Sequence, residues 1–139
     1  MIVVDTSIIV AYMNAADDFH AAVAGWLDGA DEDLATTPLI IAEVDYLVGA
    51  RGGPTARRAL YRDLAAGAYL VEWWPGAMAS VVKIAGRYAD TGLGLADASL
   101  VALAERIGTI EIATLDERHF RAVRPLAGGK AFRLLPADA

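Results

Sequence analysis

Short apolar runs alternate with helical patterns along the whole chain, and this alternation constrains the fold more than any other feature of the sequence. Each run spans a few residues and ends at a polar turn, which is typical of buried strands in a parallel sheet. The predicted strands are residues 2–4, 34–36, 68–73, 109–113 and 131–134. Strands separated by helices in this way predict an α/β fold with a mostly parallel central sheet and helices on both faces.

Helical patterns fill the segments between these runs. The predicted helices are residues 7–13, 17–27, 38–49, 55–66, 75–88, 96–107 and 117–123. Pro38 suits the first turn of its helix, because its fixed φ is helical and its missing N–H is not needed there. Gly52, Gly53 and Pro54 interrupt the helical pattern. With no repeat or linker, the chain is predicted to form a single domain over residues 1–139.

The composition excludes several kinds of site. The chain has no cysteine, which excludes a disulfide, a thiol nucleophile and a thiolate metal site, and its two histidines supply a zinc site poorly. No apolar run approaches the roughly 18 residues of a membrane span. Met1 leads directly into an apolar strand without the basic region of a signal peptide. We therefore expect a soluble protein of the cytoplasm with no membrane partner.

Four carboxylates stand where an apolar run meets a turn or a helix. They are Asp5, Glu43, Asp97 and Asp116, and each has small or hydroxylic neighbours rather than a basic partner. Acids in such places are costly unless something neutralises them. In open α/β sheets, sites form at the carboxyl ends of the strands, and Asp5 and Asp116 follow two such ends. We therefore expect the four acids to converge at one edge of the sheet.

Each acid also has a plainer interpretation. A helix N-cap is the more common role for a single Asp at a strand–helix junction. Glu43 is harder to explain, because its neighbours at helical spacing are mostly apolar, and it is predicted to face inward or into a cleft. The coincidence of four acids favours a shared site.

A shared site of four carboxylates requires a cation, because like charges at close range otherwise force some of them to take up protons. All-oxygen ligands select Mg²⁺ or Mn²⁺. Such a centre promotes attack of water on a phosphodiester. Three hydroxyls beside the acids are suited to holding a carboxylate, although local turn hydrogen bonding is an equally open role for each: Thr6, Ser7 and Thr114.

The basic residues are confined to the second part of the chain. Residues 1–50 contain nine acids and no Lys or Arg, whereas residues 51–139 contain nine acids and twelve bases. Arginines cluster within residues 51–62 and 118–124. A solvated helix face is the more common explanation for either cluster alone, but beside an acidic metal centre they would form a phosphate-binding rim. The candidate phosphate-binding residues are Arg57, Arg58, Arg118 and Arg121.

Four segments together resemble a known family. They are MIVVDTS at the N-terminus, PLIIAEV with Glu43, LADASLVALAERIG with Asp97, and IATLDERHF with Asp116. In this order and spacing they resemble the PIN-domain ribonucleases and, more narrowly, the VapC-type toxins of bacterial toxin–antitoxin pairs. The resemblance covers nearly the whole chain.

The resemblance implies a three-layer α/β/α fold and a Mg²⁺- or Mn²⁺-dependent endoribonuclease that hydrolyses RNA phosphodiester bonds. It implies that Asp5 and Asp97 are the principal metal ligands and that Glu43 and Asp116 complete a catalytic quartet. Thr6, Ser7 and Thr114 correspond to supporting hydroxyls, and the four arginines are candidates for RNA contacts. The expected partners are RNA, a cognate antitoxin that inhibits the enzyme, and a second copy of the chain in a homodimer.

Two other functions remain open from the sequence. A receiver-like domain also uses acids at strand ends with Mg²⁺ and accepts a phosphoryl group, but it needs a lysine after a late strand, and the only lysines are Lys83 and Lys130. A non-catalytic acidic module that binds a basic peptide is the second. His119 follows Asp116 by three residues, a spacing at which its side chain can approach the site. Neither His20 nor His119 is required by a metal-assisted mechanism, and a surface or capping role is the more common one for both.

Overall fold

The computed structural model describes all residues from Met1 to Ala139 and contains one five-stranded sheet. Its strands are β1 (Ile2–Val4), β2 (Leu34–Thr36), β3 (Leu70–Val71), β4 (Glu111–Ala113) and β5 (Arg133–Leu135). Their spatial order is β3-β2-β1-β4-β5, and every neighbouring pair is parallel. The predicted α/β fold is therefore confirmed, and the sheet is entirely rather than mostly parallel.

Helices flank this sheet. They are α1 (Thr6–Met13), α2 (His20–Asp28), α3 (Pro38–Ala65), α4 (Ala77–Arg87), α5 (Leu95–Ile107) and α6 (Glu117–Arg121), with a short 3-10 turn at Ala89–Thr91. Helix α2 begins three residues later than predicted, because Asp17 instead forms a turn in which its side chain accepts a hydrogen bond from the Phe19 N–H at 2.8 Å. None of the helices combines the length and apolar character needed to cross a bilayer.

Residues 38–65 are one continuous element, α3, but a non-helical residue at the predicted interruption divides it into two helical halves. Gly53 has φ 73° and ψ −169°, a conformation that only glycine adopts readily. Pro54 lacks an N–H, and its ring disfavours the helical conformation in the preceding residue. The break therefore separates a first half of α3, which carries Glu43, from a second half, which carries Arg57 and Arg58.

The core lies between the sheet and the helices. Strand β1 is fully buried, as expected for the central strand of a parallel sheet. The largest fully buried side chains come from α1, α3, α5, α6 and the central strands: Ile8, Ile9, Ile40, Leu100, Leu103, Ile112 and Phe120. This packing fixes the carboxyl ends of β1 and β4 relative to α3 and α5.

Candidate active site

Strands β1 and β4 end side by side at the point where the strand order reverses. Val4 pairs with Ala113, and the Asp5 N–H donates to the Ala113 carbonyl at 2.9 Å. The chain leaves β1 toward β2 on one side of the sheet, whereas β4 and β5 lie on the other side. Crevices at such switch points are the usual ligand sites of open α/β sheets. Asp5 and Thr114 therefore stand at the place where this architecture puts a site.

Two hydroxyls hold the Asp5 carboxylate. Ser7 Oγ and Thr114 Oγ1 both donate to Asp5 Oδ2, at 2.8 and 2.7 Å. Each hydroxyl also accepts a backbone hydrogen bond from the segment after β4, Ser7 from the Leu115 N–H and Thr114 from the Asp116 N–H, both at 2.9 Å. These contacts fix Asp5 relative to β4.

Burial controls the protonation of Asp5. The residue is only 4% exposed, and this desolvation raises the pKa of its carboxyl, opposed by the hydrogen bonds from Thr114 and Ser7. Its side chain makes no cap hydrogen bond to α1, so the plainer role of Asp5 as a helix cap is not observed. The third predicted hydroxyl, Thr6 Oγ1, lies at the same cavity and is buried without a hydrogen-bond partner.

Asp97 lies in the first turn of α5, whose N-cap is Gly94. Burial raises the pKa of Asp97 to about 6, and the negative charges of Asp5, Asp116 and Glu43 add to the increase, against a decrease caused by His119. Asp97 is therefore close enough to the other three acids to sense their charge.

Buried hydroxyls beneath the site join α3 to α5. Thr37 is the N-cap of α3, and its Oγ1 lies 2.7 Å from Ser99 Oγ, which donates to the Ala96 carbonyl at 2.6 Å. From the adjacent strand end, Thr36 Oγ1 donates to the Val4 carbonyl at 2.9 Å. Because these groups are fully buried, their hydrogen bonds fix the helix that carries Glu43 against the helix that carries Asp97. This network was not predicted, because nothing in the Thr-Thr-Pro segment at residues 36–38 indicates that two helices meet there.

Glu43 faces the cavity rather than the core. Its side chain is exposed and lines the same wall as Asp5 and Asp97. The prediction was that Glu43 faces inward or into a cleft, and the cleft is what the structure has. Its apolar neighbours at helical spacing pack in or against the hydrophobic core instead.

The Asp116 carboxylate both caps α6 and contacts a basic residue, His119. Its Oδ1 accepts from the His119 N–H at 3.2 Å, which is the cap of α6, and its Oδ2 lies 2.7 Å from His119 Nδ1. The expectation that no acid has a basic partner was thus wrong for Asp116. His119 Nδ1 also lies 3.6 Å from Asp97 Oδ2. The three-residue spacing of Asp116 and His119 had indicated this approach, because it places both side chains on one face of a helical turn.

One cavity of about 560 Å³ contains all four acids. Ligand atoms from Asp97, Asp116 and His119 lie within 4.8 Å of one another, and Asp5 and Glu43 line the same space. No Lys or Arg forms an ion pair with any of the four acids. The arrangement is an open, acidic pocket whose oxygen-rich donor set suits a hard divalent cation.

The four predicted phosphate-binding arginines do not line this cavity. Arg57 pairs with Asp45 at 3.0 Å and donates to the Asp45 carbonyl at 3.1 Å. Arg121 bridges Glu117 and Asp138. Arg58 and Arg118 are exposed on the second half of α3 and on α6.

Comparison of the sequence with known proteins identifies its family. The sequence model of the PIN domain matches residues 2–125. Ribonuclease VapC26 of Mycobacterium tuberculosis (strain ATCC 25618 / H37Rv) is 42% identical over 135 residues, which are 96% of this chain and 99% of that protein.

Two solved structures share the fold. Mycobacterium tuberculosis VapC20, described as a sarcin-ricin loop cleaving toxin, has a TM-score of 0.75 at 21% identity, over 81% of this chain and 87% of that chain. FitAcB from Neisseria gonorrhoeae has a TM-score of 0.61 at 24% identity, over 86% of this chain and 91% of that chain. The family match and the identity to a ribonuclease over nearly its full length show that this chain belongs to the PIN domain family, as a VapC-type ribonuclease.

Proposed function

We propose that this VapC-type ribonuclease is a Mg²⁺- or Mn²⁺-dependent endoribonuclease, and that it is the toxin of a toxin–antitoxin pair whose antitoxin inhibits it. The observation that supports this proposal most is the convergence of Asp5, Glu43, Asp97 and Asp116 in one cavity without a Lys or Arg partner. Mutual repulsion at this density of charge is relieved by a divalent cation.

The donor set fits such a cation. Asp5 and Asp97 are the proposed principal ligands, because both are largely buried and both have a raised pKa that a cation would reverse. Asp116 adds an oxygen beside Asp97, and Glu43 faces the same space. Carboxylates are the ligands that Mg²⁺ and Mn²⁺ prefer.

The cation and the surrounding residues have separate roles in the proposed reaction. When bound, the cation supplies the positive charge that makes a water nucleophilic and stabilises the leaving oxygen of the phosphodiester. Ser7 and Thr114 hold Asp5 in a single orientation. His119 orients Asp116 through its Nδ1. Glu43, on the exposed wall, is placed to accept a proton from an attacking water.

Cleavage of single-stranded RNA with Mg²⁺ or Mn²⁺ tests the proposal. We expect Asp97→Asn to lose cleavage by at least about a hundredfold while keeping its circular dichroism spectrum. Asp31→Asn is the matched control, because Asp31 is exposed and lies outside the cavity, and it should cleave as the wild type does. Full activity of Asp97→Asn, or cleavage that persists in excess chelator, would refute the metal-dependent mechanism.

The cavity also suggests how an antitoxin binds. Five acids line it, the four of the proposed metal site and Asp17, against one arginine and one histidine, so an Arg or Lys of the partner has a favourable site among them. Asp5→Ala is expected to weaken binding of the cognate antitoxin, measured by calorimetry. Unchanged affinity would mean that the antitoxin binds elsewhere.

Three further features remain proposals. A single domain over residues 1–139 should unfold in one cooperative transition. A homodimer should have twice the mass of the chain in light scattering. The cytoplasm is the proposed compartment, because RNA is the proposed substrate.

The receiver-like alternative loses support, because no lysine lines the cavity.

A further inference from the structure

Arg51 is the one Lys or Arg residue that lines the acidic cavity. Arg51 is exposed, and its guanidinium has no carboxylate within ion-pair distance. Asp17 also lines the cavity, but no ion pair joins it to Arg51. The guanidinium is thus free to bind an anion that enters the cavity.

The geometry of α3 explains why Arg51 lies there. Glu43, Leu47 and Arg51 are spaced four residues apart, so they share one helix face, and all three line the cavity. Arg51 occupies the last turn before the break at Gly53, where the negative end of the helix dipole favours a cation. Eight residues of helix separate Arg51 from Glu43 by about 12 Å along the axis.

The neighbouring arginine cannot take the same role. Arg57 lies beyond the break and packs back over Gly49, where an added Cβ would overlap its guanidinium. An ion pair with Asp45, at 3.0 Å, holds the Arg57 side chain there. The break at Gly53 therefore directs one arginine to the cavity and folds the next one away from it.

We propose that Arg51 binds the RNA phosphate adjacent to the phosphodiester that is cut. This inference rests on the ribonuclease function proposed above. A backbone phosphate that enters a pocket of five carboxylates is repelled unless a positive charge accompanies it, and Arg51 supplies the permanent positive charge that belongs to the chain. The separation from Glu43 along α3 assigns Arg51 to a neighbouring phosphate, so it acts on binding and register more than on the chemical step.

Binding of single-stranded RNA in the presence of Mg²⁺ and in a non-cleaving Asp97→Asn background tests the inference. We expect Arg51→Ala to weaken binding by about tenfold and to reduce the slope of log affinity against log salt by about 0.7, the value for one phosphate contact on a single strand. Arg51→Lys should keep the slope, because it keeps the charge, but should bind more weakly than Arg, because it loses the two-pronged contact.

Arg62→Ala is the matched control. Arg62 is an exposed arginine of the same helix that neither lines the cavity nor forms an ion pair, so its removal should leave the slope unchanged. With Asp97 intact, Arg51→Ala should raise KM about tenfold and leave kcat within about threefold of wild type. An unchanged slope in Arg51→Ala, an equal loss in Arg62→Ala, or a loss in kcat alone would overturn the inference. If the wild-type protein cleaves no RNA, the proposed function itself fails, which is a separate result.

Discussion

Burial and nearby negative charge act in the same direction on Asp97 and raise its pKa to about 6 from 3.8. The folded protein therefore binds this proton more tightly than the unfolded chain does. As pH rises from 3.8 to about 6, the free energy of unfolding falls, and the destabilisation from Asp97 is fully present above pH 6. At neutral pH, Asp97 therefore lowers the stability of the metal-free protein, although the proposed chemistry needs this residue.

Asp97→Asn should consequently stabilise the metal-free protein at pH 7, by on the order of 1–2 kcal/mol. Thermal melting in chelator measures this as a rise of several degrees, which should shrink toward zero at pH 4, where wild-type Asp97 is largely protonated. Asp31→Asn should shift the melting temperature at neither pH. A lower melting temperature for Asp97→Asn at pH 7 would mean that Asp97 serves the fold rather than a ligand.

Thr114 is the second residue whose removal is informative. Its buried hydroxyl donates to Asp5 and accepts from the Asp116 N–H, so Thr114→Val leaves a carboxylate oxygen and an amide each short of one partner at nearly unchanged volume. We expect a loss of about 2 kcal/mol in urea unfolding. Thr114→Ser keeps the hydroxyl and should lose less than half as much. Equal losses in the two variants would assign the effect to packing of the methyl group.

At the scale of elements, the bend in α3 is the feature that most shapes the site. It ends the helix face shared by Glu43 and Arg51 and turns the second half of α3 away. The Gly-Gly-Pro sequence predicted an interruption there, and the structure confirms its position. The resumption of the helix at residue 55 was also predicted. The folding back of Arg57 was not, because it depends on the contact with Asp45 and Gly49.

Gly53→Ala tests whether the bend depends on a conformation that requires glycine. No neighbouring atom would obstruct a Cβ at Gly53, so its cost comes from the positive φ alone, about 1–3 kcal/mol. Gly25→Ala is the matched control, because Gly25 lies within α2 with equal space and no positive φ, and it should stabilise the protein by about 0.5–1 kcal/mol. Urea unfolding of the two variants should thus change in opposite directions. A neutral Gly53→Ala would show that the bend tolerates another backbone conformation.

At the scale of the whole molecule, the parallel topology explains which parts of the site were predictable. Acids that follow β1 and β4 lie at one edge because neighbouring parallel strands end there, so the shared cavity of Asp5 and Asp116 followed from strand placement. The directions of side chains on the helices did not follow from strand placement. The contact of His119 with Asp116 depends on the start of α6, and the choice of Arg51 over Arg57 depends on the bend, neither of which periodicity encodes.

The same limit applies to elements at the edge of the sheet. The central strand was placed correctly because its apolar run is buried on both faces. Strand β3 was predicted over residues 68–73 but is only Leu70–Val71, and both residues are exposed. An edge strand is ended by its tertiary contacts rather than by its own apolar pattern, so its bounds were less predictable.

The central claim is that the acids of the cavity form one cation site, and melting with and without Mn²⁺ tests it most directly. Because a ligand that binds only the folded state stabilises it, millimolar Mn²⁺ should raise the melting temperature of the wild-type protein at pH 7. The rise should be largely absent in Asp5→Asn and in Asp97→Asn and intact in Asp31→Asn. A wild-type melting temperature that Mn²⁺ leaves unchanged, or an equal rise in all four proteins, would contradict a shared metal site.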